Sequence, residues 1–467
     1  MASERWLVAV LLLGACASPS IRSDLRSVRE LSHTARLAPV AGDEVDAESN
    51  DDAEALLAQP LDADRAVRIA LLNNRELRAR LRELGISRGR LIQAGLVANP
   101  TLEAELAPER DSHLELRVEY DVTSLLYAPL AKRAAAADLQ AERFQVASAV
   151  VTLGYHVRSE FYALQAGQQR MLAALRTLDA LVAGRDAAVA LAEAGNTPQL
   201  AASTQIAAYE RARISVAQLE LSLASQRERM QRLLGLHGEA TRWQVADGFA
   251  AIPEQLALDE DLERRALEAS LDLNVLRNRL DASARRTGMA RMAGWLPEVA
   301  VDVHALYLRS QDSADDRTLR WGGGLSVGVP LFDRQQGTRR VHEAEFDATM
   351  ERYHGLAVDL RSAVRDARNH VVSSHARARA YQTVIVPAQK VVTEQTLLQY
   401  NAMQIGVFQL LDARRQQLEV ELDFVETQRE YFSARAGLEA LLAGALVTQD
   451  ERPSLRTPGA AGAPDSH

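Results

Sequence analysis

The stretch Trp321–Arg340, WGGGLSVGVPLFDRQQGTRR, decides the fold. Its first half alternates. Leu319, Trp321, Gly323, Leu325, Val327 and Val329 share one side of an extended chain, while Arg320, Gly322, Gly324, Ser326 and Gly328 share the other. Pro330 ends such a ladder because it brings no backbone N–H. Downstream the spacing becomes helical. Phe346, Met350, Tyr353, Ala357, Leu360, Val364, Ala367, Val371, Ser374, Ala378, Tyr381 and Ile385 follow at steps of four and three, a sustained heptad seam. One segment thus passes from a strand into a very long helix. The pattern predicts a mainly α protein with a small β part.

Outward from this stretch, the chain runs twice through one plan. Leu61-Asp62-Ala63-Asp64 opens a first repeat over 61–257, and Leu258-Asp259-Glu260-Asp261 opens a second over 258–449, the Asp residues being suited to N-cap a helix. Each opening predicts a helix of about thirty residues that ends near Ala94-Gly95 or Ala293-Gly294, before Pro100 or Pro297. Two strands follow in each repeat. Leu114, Leu116, Val118, Tyr120 and Val122 alternate with Glu115, Arg117, Glu119 and Asp121, and Val299, Val301, Val303, Ala305 and Tyr307 alternate with Ala300, Asp302, His304 and Leu306. Segments of about nine residues, apolar on one face and charged on the other, suit the strands of an outer-membrane β-barrel. A half-buried sheet in a soluble protein would alternate in the same way. The aromatic residues favour the membrane reading, because Tyr120, Tyr127, Trp295, Tyr307 and Trp321 fall near strand ends.

Long proline-free stretches come next, between Pro129 and Pro198, Pro198 and Pro253, and Pro330 and Pro387. A helix of about 65 residues is roughly 100 Å long. A globular core has no use for such a rod, whereas a coiled coil or a duct wall does. The first repeat carries its own seam through Leu153, Val157, Phe161, Leu164, Gln168, Met171, Leu175, Leu178 and Val182. Breaks at Ala194–Pro198 and Gln404–Val407, centred on Gly195 and Gly406, should fold each rod back as a helical hairpin. Pro387 interrupts a pattern that continues on both sides, so a kink is expected there.

The ends differ in character. Trp6–Gly14 is a short apolar run that suits a signal peptide over 1–15. Leu13-Gly14-Ala15-Cys16 has the form of a lipobox, which makes Cys16 the expected lipid anchor; an ordinary secretory signal is the plainer alternative. Residues 16–60 are acidic and poor in large apolar side chains, and read as a flexible tether. Residues 450–467 read as a disordered tail.

Composition removes several function classes. A single cysteine rules out an internal disulfide framework, and a net charge of −9 with no basic patch argues against nucleic acid. Gly324-Leu325-Ser326-Val327-Gly328 matches the nucleophile-elbow pattern G-x-S-x-G. That motif needs its serine on a strand-to-helix turn, and Ser326 falls in mid-strand. The histidines are scattered. His370 and His375 do not share a helix face as an i, i+4 pair would, and both read as solvated surface. No enzyme, cofactor or metal role is expected.

Four strands cannot close a membrane barrel, since the smallest single-chain barrels use eight. Strands left open in lipid leave backbone groups unsatisfied at several kcal/mol each. Closure must therefore come from association of copies, whose number the residues do not give.

The duplicated plan, with Asn99-Pro100 before the first strand, Pro330-Leu331-Phe332-Asp333 after the last and Tyr400–Gly406 before a Leu-Leu-Asp-Ala run, resembles the TolC-type outer-membrane efflux proteins over about residues 61–443. The resemblance implies three subunits sharing one twelve-stranded barrel in the outer membrane. Their helices would continue it as a periplasmic duct that meets an adaptor and an inner-membrane pump. It implies a lumen lined by Glu115, Arg117, Glu119, Asp121, Asp302, His304 and Arg320, and adaptor contacts at the Gly195 and Gly406 tips. It also puts Asp412 at the first acidic position of the periplasmic entrance. The sequence departs from the family pattern in two places. Leu126-Tyr127-Ala128-Pro129-Leu130 stands where a Pro-Leu-Phe-like corner is expected, and Arg415 holds the second acidic position of the gate. The competing reading is a periplasmic coiled-coil lipoprotein with no pore, which explains the heptads and Cys16 but not four symmetrically placed strands.

Overall fold

The computed structural model describes residues 21–33, 55–107, 112–309 and 317–447. The signal peptide, Cys16, the tips of the strand hairpins and the C-terminal tail lie outside the described residues. In chain order the elements are α1 (Ile21–Leu31), α2 (Ala63–Asn73), α3 (Arg75–Ala94), β1 (Thr101–Ala107), β2 (Ser112–Asp121), α4 (Thr123–Glu193) and α5 (Gln199–Leu234). After a short 3₁₀ turn come α6 (Leu262–Ala269), α7 (Leu271–Ala293), β3 (Glu298–Arg309), β4 (Arg317–Gly328), α8 (Gln336–Ala380), α9 (Val386–Asn401) and α10 (Val407–Leu442). The second half repeats the first. The chain divides into two compact units, one built from 1–40, 76–148 and 271–358, the other from 41–75, 149–270 and 359–467.

The first unit holds the sheet, antiparallel throughout in the order β1-β2-β3-β4. Every strand is joined to a helix at one end of the sheet. Thr101 pairs with Glu119 there, Asp121 with Ala300, and Glu298 with Gly328. The stretch expected to be a tether is corrected in this unit, because Ile21–Leu31 is a helix with Leu25, Val28 and Asp24 buried. Asp24 receives Arg88 Nε and Nη2 at 2.5 Å each, and Arg143 Nε and Nη2 at 2.9 and 2.5 Å. A polar segment is thus ordered by partners far along the chain. Burial works to raise the Asp24 pKa, but the hydrogen bonds from the two guanidinium groups outweigh it and hold the carboxyl below its ordinary value.

The second unit is organised around α2, α4 and α5. Leu61, Ile69, Val157, Phe161, Leu164, Met230, Leu234 and Trp243 form one buried cluster. Leu61 also bridges Val245 in a parallel pair, which ties the start of the first repeat to the inter-repeat segment. Asp62 caps α2 by accepting from Arg65 N at 2.7 Å. Asp261 makes no such cap and pairs instead with the Arg264 side chain. The second repeat contributes a heptad seam, with Leu360, Val364, Ala367, Val371, Ser374 and Ala378 buried as the spacing predicts. His375 is not surface: its Nε2 lies 2.8 Å from the Pro253 carbonyl and its ring 5.5 Å from that of Tyr431.

A further expectation changes. Each opening helix is broken rather than continuous. Asn74 and Ser270 adopt extended ψ values of 117° and 113° at matching points of the two repeats. Asn74 Nδ2 donates to the Leu233 carbonyl at 2.9 Å. Gly235 sits against the break at φ +68°, where an added Cβ would overlap the Asn73 carbonyl. Gly235→Ala is therefore expected to cost about 1–3 kcal/mol, read as a lower midpoint in denaturant melts of the full chain. At Pro387 the helix is accommodated by a π turn over Tyr381–Ile385, and Val386 beyond it is still helical. The missing N–H of Pro387 and its ring both fall on the carbonyl four residues back, which the wider turn relieves.

Candidate functional site

All seven side chains expected in a lumen lie on one face of the sheet. The register lines them up in cross-strand rows: Thr101–Glu119–Asp302–Gly324, Glu103–Arg117–His304–Gly322, and Glu105–Glu115–Leu306–Arg320. Asp121 shares the parity of Glu119. Leu306 stands alone as a large apolar residue among these rows. The rows between them, such as Leu102–Val118–Val303–Gly323, carry the opposite face. Leu116, Val118, Val301, Val303 and Leu325 there are exposed in the single chain, Leu325 at 66%.

The glycines of β4 explain the polar face. A Cβ at Gly322 would overlap the His304 ring and one at Gly324 the Asp302 carboxylate, so both side chains lie across β4 over bare backbone. There His304 Nδ1 meets Asp302 Oδ2 at 3.0 Å, and Arg117 Nη2 donates to Glu115 Oε1 at 2.9 Å. Acidic groups outnumber basic ones on this face, a wall chemistry that favours cations. Ser326 pairs with Ala300 inside the regular ladder, not on a strand-to-helix turn.

The second expected site is at the hairpin turns. After α4, Asn196 N donates to Leu191 O at 2.8 Å with Gly195 at φ +73°. After α9, Gln404 N donates to Gln399 O at 3.0 Å with Met403 at φ +58°. The two turns are thus the same motif, and Met403 rather than Gly406 takes the left-handed position. Gly406 lies at φ −81° as the N-cap of α10, where its N–H donates to Gln409 Oε1 at 2.9 Å. Met403 is 93% exposed at the turn.

Asp412 and Arg415 are brought together as i, i+3 neighbours on α10. Arg415 Nη2 donates to Asp412 Oδ1 at 2.8 Å and Gln416 Nε2 to Oδ2 at 2.9 Å, while Glu419 lies 3.6 Å from Arg415. The bond to Asp412, with Glu419 close by, raises the Arg415 pKa and keeps its charge fixed. Together with Thr177 and Leu181 of α4, Gln205 of α5 and Phe408 and Leu411 of α10, they border a groove of about 220 Å³.

Two features here had no sequence signal. Gly184 lets α4 approach α10, since a Cβ there would stand 3.2 Å from Leu411 Cδ1. Glu426 of α10 accepts from Arg429 at 2.5 Å and also from Arg170 of α4, 256 residues away in sequence. Burial works to raise the Glu426 pKa, but the Arg429 and Arg170 bonds outweigh it and lower it. The first hairpin is thereby fastened to the second by charge.

Known proteins resemble this chain in sequence and in fold. Residues 262–444 match the outer membrane efflux protein family. The cobalt-zinc-cadmium resistance protein CzcC of Cupriavidus metallidurans is 23% identical over 389 residues, covering 82% of this chain and 90% of that protein. Among solved structures, CusC superposes with a TM-score of 0.67 at 17% identity, covering 82% of this chain and 92% of that one. VceC of Vibrio cholerae superposes with a TM-score of 0.65 at 17% identity, covering 82% and 96%. The family match thus covers residues 262–444 in the second half of the chain, while the likeness to CzcC and to the solved channels extends over about four-fifths of it.

Proposed function

We propose that the chain is the outer-membrane exit duct of a tripartite efflux system. It passively conducts cargo that an inner-membrane pump and a periplasmic adaptor deliver. One observation supports this most directly: a four-stranded sheet with one acidic and one apolar face, too small to close alone and open at both edges. Three copies would make a twelve-stranded barrel with the acidic rows inside and the apolar rows in lipid. A pore-less coiled-coil lipoprotein has no use for such a sheet. No described helix is long and apolar enough to cross a membrane, so spanning falls to the strands. The hairpin turns at Gly195 and Met403–Gly406 would offer the adaptor its contact, and the name of the CzcC relative makes divalent cations the first cargo to test. The lipid anchor assigned to Cys16 would hold the N-terminus at the same membrane.

Asp412 and Arg415 are proposed to hold the periplasmic entrance in its resting state. Their mutual bond is within one chain, so symmetry would repeat a paired rather than a bare carboxylate around the axis. Removing Arg415 would free that carboxylate, and removing Asp412 would leave the cation. The purified chain in planar bilayers tests both readings. Resting conductance is expected, with Arg415→Ala raising cation preference and Asp412→Ala lowering it, each by several-fold. A protein that never conducts is no duct. A conducting protein whose two variants match wild type has only surface charges at these positions.

A further inference from the structure

The strand–helix junctions carry an exposed apolar set that neither the barrel nor the hairpins use. All four junctions lie at one end of the sheet, and each presents a large apolar side chain to solvent. These are Val97 before β1, Leu126 after β2, Trp295 before β3 and Phe332 after β4, the last two exposed at 84% and 93%. Phe332 is held outward by ordered backbone. Gln336 Nε2 donates to the Phe332 carbonyl at 3.2 Å, Arg334 N to Gln336 Oε1 at 2.8 Å and Gln335 N to Asp333 Oδ1 at 2.8 Å. The same corner sits on the end of α7, where an added Cβ at Gly294 would overlap the Arg334 carbonyl. Exposed apolar side chains gathered at one end of a sheet, one of them an aromatic ring on an ordered corner, are what a membrane or protein interface presents.

The charge around this apolar set identifies the neighbour. Residues 90–97, 121–133, 291–298 and 329–340 hold seven Lys or Arg against three acidic residues, Asp121, Glu298 and Asp333, in a chain whose net charge is −9. Lys132, Arg133, Arg334 and Arg340 are exposed and form no ion pair among the described residues. Arg291 and Arg339 both turn to Glu343, at 2.9 and 3.6 Å, which leaves an excess of cation there as well. The Lys132 stem runs over Gly95, so its ammonium group stands beside the α3–β1 junction. A second copy of this chain in a rotationally symmetric ring would bring the same cations to the same level and repel. Anionic headgroups satisfy them, and the apolar side chains suit the acyl boundary just beyond.

We propose that the four junctions form a collar that binds anionic phospholipid headgroups of the periplasm-facing leaflet of the outer membrane. This rests on the outer-membrane reading above. The test uses the full chain purified in nonionic detergent and titrated in mixed micelles with phosphatidylglycerol or phosphatidylcholine, with bound lipid counted by native mass spectrometry. Conductance in phosphatidylcholine bilayers is recorded alongside. Wild type is expected to retain phosphatidylglycerol about tenfold better than phosphatidylcholine. Lys132→Gln/Arg133→Gln/Arg340→Gln is expected to reduce that preference to near unity while conductance is unchanged. Conducting wild type without a lipid preference, or a triple variant that keeps it, overturns the collar and leaves the duct standing. Absence of conductance in wild type overturns both.

Discussion

Asp24→Asn is expected to destabilise the first unit by about 3–5 kcal/mol, the range for breaking a buried ion pair by removing one partner. The Asp24 side chain is fully buried and Arg88 retains only 11% exposure, so water cannot replace the lost carboxylate. Asparagine keeps the shape and offers a single neutral acceptor to two guanidinium groups. Arg143→Gln should cost less, because Arg88 still grips both carboxylate oxygens. The pH dependence has a definite sign. The folded pKa of Asp24 is lowered, so its contribution is complete above the ordinary value of 3.8 and is lost as pH falls through the lower folded value. Wild type should lose its advantage over Asp24→Asn on acidification below that value and keep it at neutral pH. Denaturant melts of both proteins at pH 7 and at successively lower pH below 3.8 measure this. A difference below about 1 kcal/mol at pH 7 would show that α1 is held by Leu25 and Val28 alone.

The strands and long helices were legible in the sequence because each carries its own period. Alternation over 298–309 and 317–328 and the steps of four and three from Leu360 to Ala378 are local signals that survive any tertiary arrangement. Features made by distant partners were not legible. α1 reads as tether because its composition is polar. Its order comes from Arg88 and Arg143, 64 and 119 residues away from Asp24. The breaks at Asn74 and Ser270 are equally silent, since no proline or glycine marks them. Asn74 is held by a carbonyl 159 residues on. Gly406 drew attention as a glycine in a turn, yet Met403 takes the left-handed conformation, which an exposed tip permits in a non-glycine residue. The candidate site divides the same way. The charged parity of the strands was readable, but the bare backbone of Gly322 and Gly324 beneath His304 and Asp302 depends on which strands are neighbours.

Val118→Arg is expected to prevent assembly of the proposed barrel, while Glu119→Arg, one residue along, should be tolerated. Val118 sits at the centre of the apolar row Leu102–Val118–Val303–Gly323, and Glu119 in the polar row beside Asp302. Successive residues of a strand point to opposite faces, so the two substitutions place one identical side chain in two different solvents. On the lipid side an arginine near the midplane costs roughly 2–4 kcal/mol per chain. Three copies in one barrel raise this to roughly 6–12 kcal/mol, comparable with the whole stability of a domain. On the polar side the guanidinium introduced by Glu119→Arg would meet Asp302 and Thr101 across the ladder and stand between Asp121 and Arg117 on its own strand, a polar setting that accommodates a charge. The measurement is the yield of heat-resistant oligomer extracted from membranes for each variant. Loss of the oligomer in Val118→Arg alone fixes the facing of all four strands, because the register carries parity from β2 to its neighbours. Equal yields for the two variants would mean that the apolar face is not in lipid. A reversed order would turn the sheet inside out, with the acidic rows outside and the glycine-backed pair of Asp302 and His304 removed from the path of the cargo.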